Sequence, residues 1–254
     1  MASGSLKRND EGIGDMKIHC VWEHNGNDSM IYASNFIGAF TRGENREVAL
    51  SKMQDEIKAY LRWKNGNENE EEWEVLISQE SCSGLDICDA DSDVIFEEER
   101  KPLSLEEYTE LKALVLKSAK DFWWLYESIP DKNESALPMT PQKMTFLGPR
   151  PRTAWEMYEH TKCVNQYYFG EIGVKADNEG TIYECRKRGF ELLEAEPDFL
   201  NKEVVVGSFD EEWSLRKVLR RFIWHDRIHG KAMYRMAVKT FGHGSVPDVF
   251  RFEK

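Results

Sequence analysis

EEWSLRKVLRRFIWHDRIHGKAM, residues 211–233, decides how the second half of this chain is read. Its apolar residues recur at steps of three and four: Val218, Phe222, then Ala232 and Met233, with Met236 beyond. That is the period of an α-helix with one face turned inward. His225 and His229 lie one turn apart on the same stripe, so both imidazoles are predicted to face the interior. Ser208-x-x-Glu211 reads as a capping box ahead of the helix and Gly242 as its stop. Unpaired imidazole nitrogens are costly in a core, so the two rings need partners.

Upstream of that stretch the chain is helical from about residue 103. Ser104-x-x-Glu107 is a capping box that opens a helix with the stripe Tyr108, Leu111, Val115, Ala119, Phe122 and Tyr126, stopped at Ile129-Pro130. A long connection, DKNESALPMTPQKMTFLGPRP at 131–151, is expected to pack across the helices or frame a site. Thr153-x-x-Glu156 opens a second helix that ends near Gly170 to Gly173. A third is predicted between about Gly180 and Ala195. Four helices with one long connection predict an all-α four-helix bundle at 103–254, expected to fold alone.

His160 changes the weight of the histidine pair. It lies on the inward stripe Met157, His160, Val164, Tyr167 of the second helix. H-x-x-x-H alone arises easily by chance, and a pair of satisfied or half-exposed core histidines fits it equally well. Three of the six histidines turned into one core are satisfied together by a divalent metal. Glu156 and Glu171 are candidates for the outer acceptors, although a capping role and a solvated helix end explain them better. Arg221 reads as solvated or ion-paired in the run RKVLRR rather than as a guide for an anionic substrate. Tyr167 and Tyr168 fit core packing and a hydroxyl near the site equally well. Cys163, at the edge of the histidine face, is read as a small buried thiol outside the site.

The first half has the grammar of a small α+β domain at 16–100. Lys17 to Trp22 and Ser29 to Ser34 flank a turn at Asn25-Gly26-Asn27, and a third short strand is expected from Phe36 to Thr41. Asn45 caps a helix with the stripe Ala49, Met53, Ile57, Tyr60 and Leu61, ended by Asn65-Gly66. NENEEEWE reads as a solvated loop before the strand WEVLIS, and EEERK at 97–101 as a domain boundary. Residues 1–15 read as a disordered leader ahead of a functional start at Met16.

The chain has 254 residues, a net charge of −12 and 41% hydrophobic residues. An acidic folded chain is a poor non-specific ligand for nucleic acid or anionic membrane, and no apolar run reaches the length of a membrane span. Five scattered cysteines without C-x-x-C spacing point to reduced thiols and a cytoplasmic protein. The expected partners are a small-molecule substrate, a protein partner for the first half, and a second copy of the chain as a homodimer.

RTAWEMYEHTKCVNQYYFGEIG at 152–173 and the opening stretch resemble the second and fourth helices of DinB-like (DinB/YfiT) proteins, over roughly residues 103 to 242. The resemblance implies a bundle with one zinc, nickel or iron ion held by His160, His225 and His229. It also implies, for some members, metal-dependent hydrolase or thiol S-transferase activity with a low-molecular-weight thiol. SNFIGAFTRGENREVALSKMQDEIKAYL at 34–61 resembles the HicB-like antitoxin fold, over roughly 16 to 95. Members of that family neutralise a small toxin and usually carry a separate DNA-binding segment; no such segment is seen here, which favours a structural or partner-binding role.

The motif H-D-x-x-H is close to the H-E-x-x-H of zinc peptidases, but Asp226 is one methylene shorter than the required Glu and is predicted to point off the histidine face. The only later histidine, His243, lies past Gly242. A peptidase is therefore excluded. An ion held by three neutral imidazoles keeps its charge and an open position, which favours a hydroxide or a thiolate. The expected function is a metal-dependent reaction on a small electrophilic or hydrolysable substrate. The alternative is a non-enzymatic binding or stress-response protein with a structural metal.

Overall fold

The computed structural model describes residues 17–66, 71–138, 144–145 and 148–253. The leader, and part of the acidic loop before WEVLIS, lie outside the described residues. A four-stranded sheet forms first, from β1 (Lys17–His24), β2 (Ser29–Ala33), β3 (Phe40–Gly43) and β4 (Glu74–Cys82), in the order β3-β2-β1-β4. The first three strands are an antiparallel meander, and β4 returns parallel to β1 after two helices. These are α1 (Arg46–Leu50) and α2 (Met53–Asn65), where the sequence predicted one helix. The chain turns between them at Ser51 and Lys52; Asn45 caps the first, accepting from the Val48 N–H, and left-handed Gly66 ends the second.

β2 is buried at every position, so the sheet is covered on both faces along this strand. Period-2 alternation sends Ile31 and Ala33 into the large core that holds α2, and Met30 and Tyr32 into a second cluster with Trp224 and Ile228. The third strand lies four residues later than its predicted start, because 33–39 forms a turn in which the Ala33 N–H donates to the Ala39 carbonyl. Gly38 sits there at φ +97°, and a Cβ would meet Ile223 Cγ2 at 2.2 Å. Only glycine lets this turn press against the last helix.

Beyond residue 103 the chain is mostly helical: α3 (Leu105–Ser128), α4 (Ala154–Glu171), α5 (Ile182–Glu194) and α6 (Leu215–Phe241). α3 and α4 each pack on both α5 and α6. The predicted capping boxes at Ser104 and Thr153 form, and Thr181 with Glu184 makes another that the sequence reading passed over. The box at Ser208 does not open α6. Phe209 and Asp210 take left-handed backbone there, and Ser214 is the cap, accepting from the Lys217 N–H. The long connection packs back as expected where it is described, with the Ala136 N–H on Thr240 Oγ1.

The charge run at 97–101 is not a solvated linker throughout. Glu99 is buried and ion-paired to Arg220 of α6, with Arg220 Nη2 3.0 Å from Glu99 Oε2. One apolar core runs from Ile18 and Ile57 in the first half through Val115 and Phe122 to Phe222 and Met233. The change of architecture near 100 therefore lies within a continuous interior. Among the described residues no helix is long and apolar enough to cross a membrane.

Candidate metal centre

α6 is the axis of the site. Its 27 residues carry His225 and His229 on the face that meets α4, where His160 projects towards them. The ring centroids are 5.3 Å apart for His160 and His225, 4.7 Å for His160 and His229, and 4.4 Å for His225 and His229. One nitrogen from each ring falls within 4.8 Å of the others, close enough for all three to bind a single metal ion. Among the described residues no carboxylate or thiol joins this cluster.

The electrostatics favour the ligand form. Burial lowers the pKa of all three rings; mutual repulsion lowers His225 and His229 further, and Arg42 adds to the effect on His229. They are held as neutral imidazoles, whose lone pairs are the ones a metal uses. His225 Nδ1 is buried and has no hydrogen-bond partner among the described residues. A satisfied core histidine would have one. The donor set and the orphaned nitrogen thus fit a divalent ion.

The histidines line a cavity of about 590 Å³, together with Tyr167 and Tyr168 of α4. Tyr168 stands edge-on to His225 at 6.0 Å. The opposite wall comes from the first half, from Arg42 at the end of β3 and the loop at 88–93. A buried network pins that loop: the Tyr32 hydroxyl donates to Glu23 Oε2 at 2.9 Å and is bonded to Ser92 Oγ at 2.8 Å. The Asp93 N–H donates to the other Glu23 oxygen at 3.3 Å. Burial raises the pKa of Glu23 against the opposing effect of these hydroxyl bonds.

The other residues singled out in the sequence fall away from the ion position. Asp226 points off the histidine face, fully buried, and accepts from Ser118 Oγ at 2.6 Å and from Arg186 at 3.2 and 3.3 Å. His243 is exposed beyond the helix. Glu156 completes its capping box, and Glu171 accepts from the Ser208 N–H at 2.8 Å, so neither is an outer acceptor and Glu171 is not simply solvated. Cys163 is exposed rather than buried, and lies outside the cluster.

Arg221 corrects the sequence reading most. It is buried, not solvated, with its guanidinium 5.1 Å from the Trp224 ring centroid and 5.3 Å from that of Tyr168; it donates to the Ser92 carbonyl and lines the cavity. The wall from the first half was not legible in the sequence, because Arg42 and 88–93 carry no motif and reach the histidines only through the docking of the sheet on α6. Comparison with protein-family models, curated proteins and solved structures gives no match to this chain.

Proposed function

We propose that this chain is a DinB-like metalloprotein: a four-helix bundle in which His160, His225 and His229 hold one zinc, nickel or iron ion, acting as a metal-dependent hydrolase or thiol S-transferase on a small electrophile. The supporting observation is that three neutral imidazoles converge on an open cavity, one of them with a buried nitrogen lacking any partner. When bound, such an ion lowers the pKa of water or of a small thiol at its open position, and so supplies a nucleophile at neutral pH.

The chain's residues do the positioning. Two of the histidines are set at fixed spacing by one helix and the third by its neighbour, so the donor set is built on rigid elements. Tyr168 and Trp224 cover His225 and keep bulk water from its inner side. The wall at 88–93, anchored by Glu23 and Tyr32, limits the substrate to a small molecule.

Metal content and coordination number of the purified protein test the reading. One ion bound by three histidines, with an exchangeable water, is expected, and His160→Ala should lose most of it. Full retention in that variant would sink the three-ligand site. A shell closed by four protein groups would instead favour the alternative, a binding or stress-response protein with a structural metal and a HicB-like, partner-binding first half.

A further inference from the structure

The geometry points to an oxyanion subsite at the mouth of the same cavity, so that the substrate carries a carboxylate or phosphate group held by Arg42 and Arg235 while its reacting part lies at the histidines; this inference rests on the proposed function. α6 carries the histidines and the cationic rim on one side: His225, His229, Ala232, Arg235 and Lys239 all line the cavity. Arg235 lies six residues past His229, about 9 Å further along the axis. Arg42 faces it from β3, and Arg150 lines the same cavity.

The charge balance of this wall is uneven. Asp89 is paired with Arg150, Glu211 with Lys217 and Asp93 with the Ser83 hydroxyl, and Asp91 is also engaged. Arg42 gives one N–H to the Cys88 carbonyl and has no carboxylate among the described residues; Arg235 and Lys239 have no hydrogen-bond or ion-pair partner among them. Arg42, Arg235 and Lys239 are exposed at the rim, so their charges are open to a ligand. Deeper in, Arg221 also lines the cavity, 7% exposed, with its buried Nε lacking an acceptor. Arg42 lies close enough to Arg235 and Arg150 for their charges to disfavour its own. A bound oxyanion relieves that repulsion, and a guanidinium fork matches the two oxygens of a carboxylate or phosphate.

Calorimetric titration of the full chain with inorganic phosphate and, separately, with succinate tests this in zinc-loaded and metal-free protein. At least one anion should bind both forms, and the preferred one identifies the group. Arg42→Gln and Arg235→Gln should each weaken that binding about tenfold or more with zinc content and melting temperature unchanged, since a bond to a charged group contributes at least that factor. Absence of binding by both anions, or binding that neither substitution moves, overturns the subsite. Binding confined to the zinc-loaded protein and indifferent to the arginines also overturns it, while leaving the three-histidine site intact. Arginine-dependent binding in a protein that takes up no zinc would retain the subsite and sink the metal reading.

Discussion

Along α6, the side turned to the first half buries Lys217, Arg220 and Arg227, and the side turned to α4 carries His225 and His229. On the first side each of these three cations meets a carboxylate: Lys217 Nζ is 2.8 Å from Glu211 Oε1, Arg220 pairs with Glu99, and Arg227 Nη2 is 2.6 Å from Glu56 Oε1. Aromatic rings cover what remains, Phe96 lying 3.9 Å from the Arg220 guanidinium and Trp63 4.9 Å from that of Arg227. On the second side the cluster holds no acid, and a buried ring nitrogen has no partner. Orphaned polar atoms occur on both sides, since Arg220 Nη1 and Arg227 Nε and Nη1 also lack hydrogen-bond partners among the described residues; the difference is that each of these cations has an acid beside it and the histidine cluster has none. The first side is architecture. The second is the candidate site.

The largest effect expected from breaking the paired side is Glu99→Ala. It leaves Arg220 buried with the Val94 carbonyl as its remaining acceptor, and should cost about 3–5 kcal/mol in urea unfolding. A loss below about 1 kcal/mol would mean that the two halves do not share this interior. Glu56 and Glu99 are both missing from a fragment of residues 103–254, so the sequence-based expectation that it folds alone is tested by the same measurement on that fragment.

On the histidine side, zinc at a hundred times its Kd should add about 2.7 kcal/mol to the unfolding free energy, and His160→Ala should remove that gain. An equal gain in the variant would place the zinc elsewhere.

Next in size is a pH effect on the paired side. Burial pushes the Lys217 ammonium down to about 8, against the helping charge of Glu211 and with Arg220 and Arg221 opposing it further. In the unfolded chain the amine keeps its proton to about pH 10.4. Between about pH 8 and 9.5 the unfolded state therefore binds more protons, so stability rises with pH across that window, by about 1–2 kcal/mol relative to Lys217→Met. A flat difference between the two proteins would show that Glu211 holds the charge fully.

The smallest effect should come from His225→Leu without metal, within about 1 kcal/mol of the parent, because no partner is lost and a desolvated polar ring is replaced by an apolar one. A loss above 3 kcal/mol would reveal a structural histidine, and the contrast between the sides would fail.

Much of the local structure was readable. The caps at Asn45, Ser104 and Thr153, the stop at Gly66 and the inward turn of all three histidines follow from short-range chemistry and from periodicity. The failures share a cause. Ser208-x-x-Glu211 has the letters of a capping box, but the helix begins at Ser214 because the residues between pair with 205–206 and turn through left-handed backbone. RKVLRR reads as solvated or ion-paired; the ion pairs of Lys217 and Arg220 form, but the burial was not legible, because lysine and arginine are rarely buried unless acids come to meet them.

The sequence by itself determined the helix that carries H-x-x-x-H, the third inward histidine, and hence the donor set for a metal, since a 3.6-residue period fixes which side chains share a face. Only the tertiary structure decided that Glu56 and Glu99 neutralise α6, that Arg221 is buried, and that Arg42 and the loop at 88–93 close the cavity over the histidines. Those contacts join residues far apart in the sequence, and charge compensation and cavity shape depend on where such residues meet in space rather than on any local pattern.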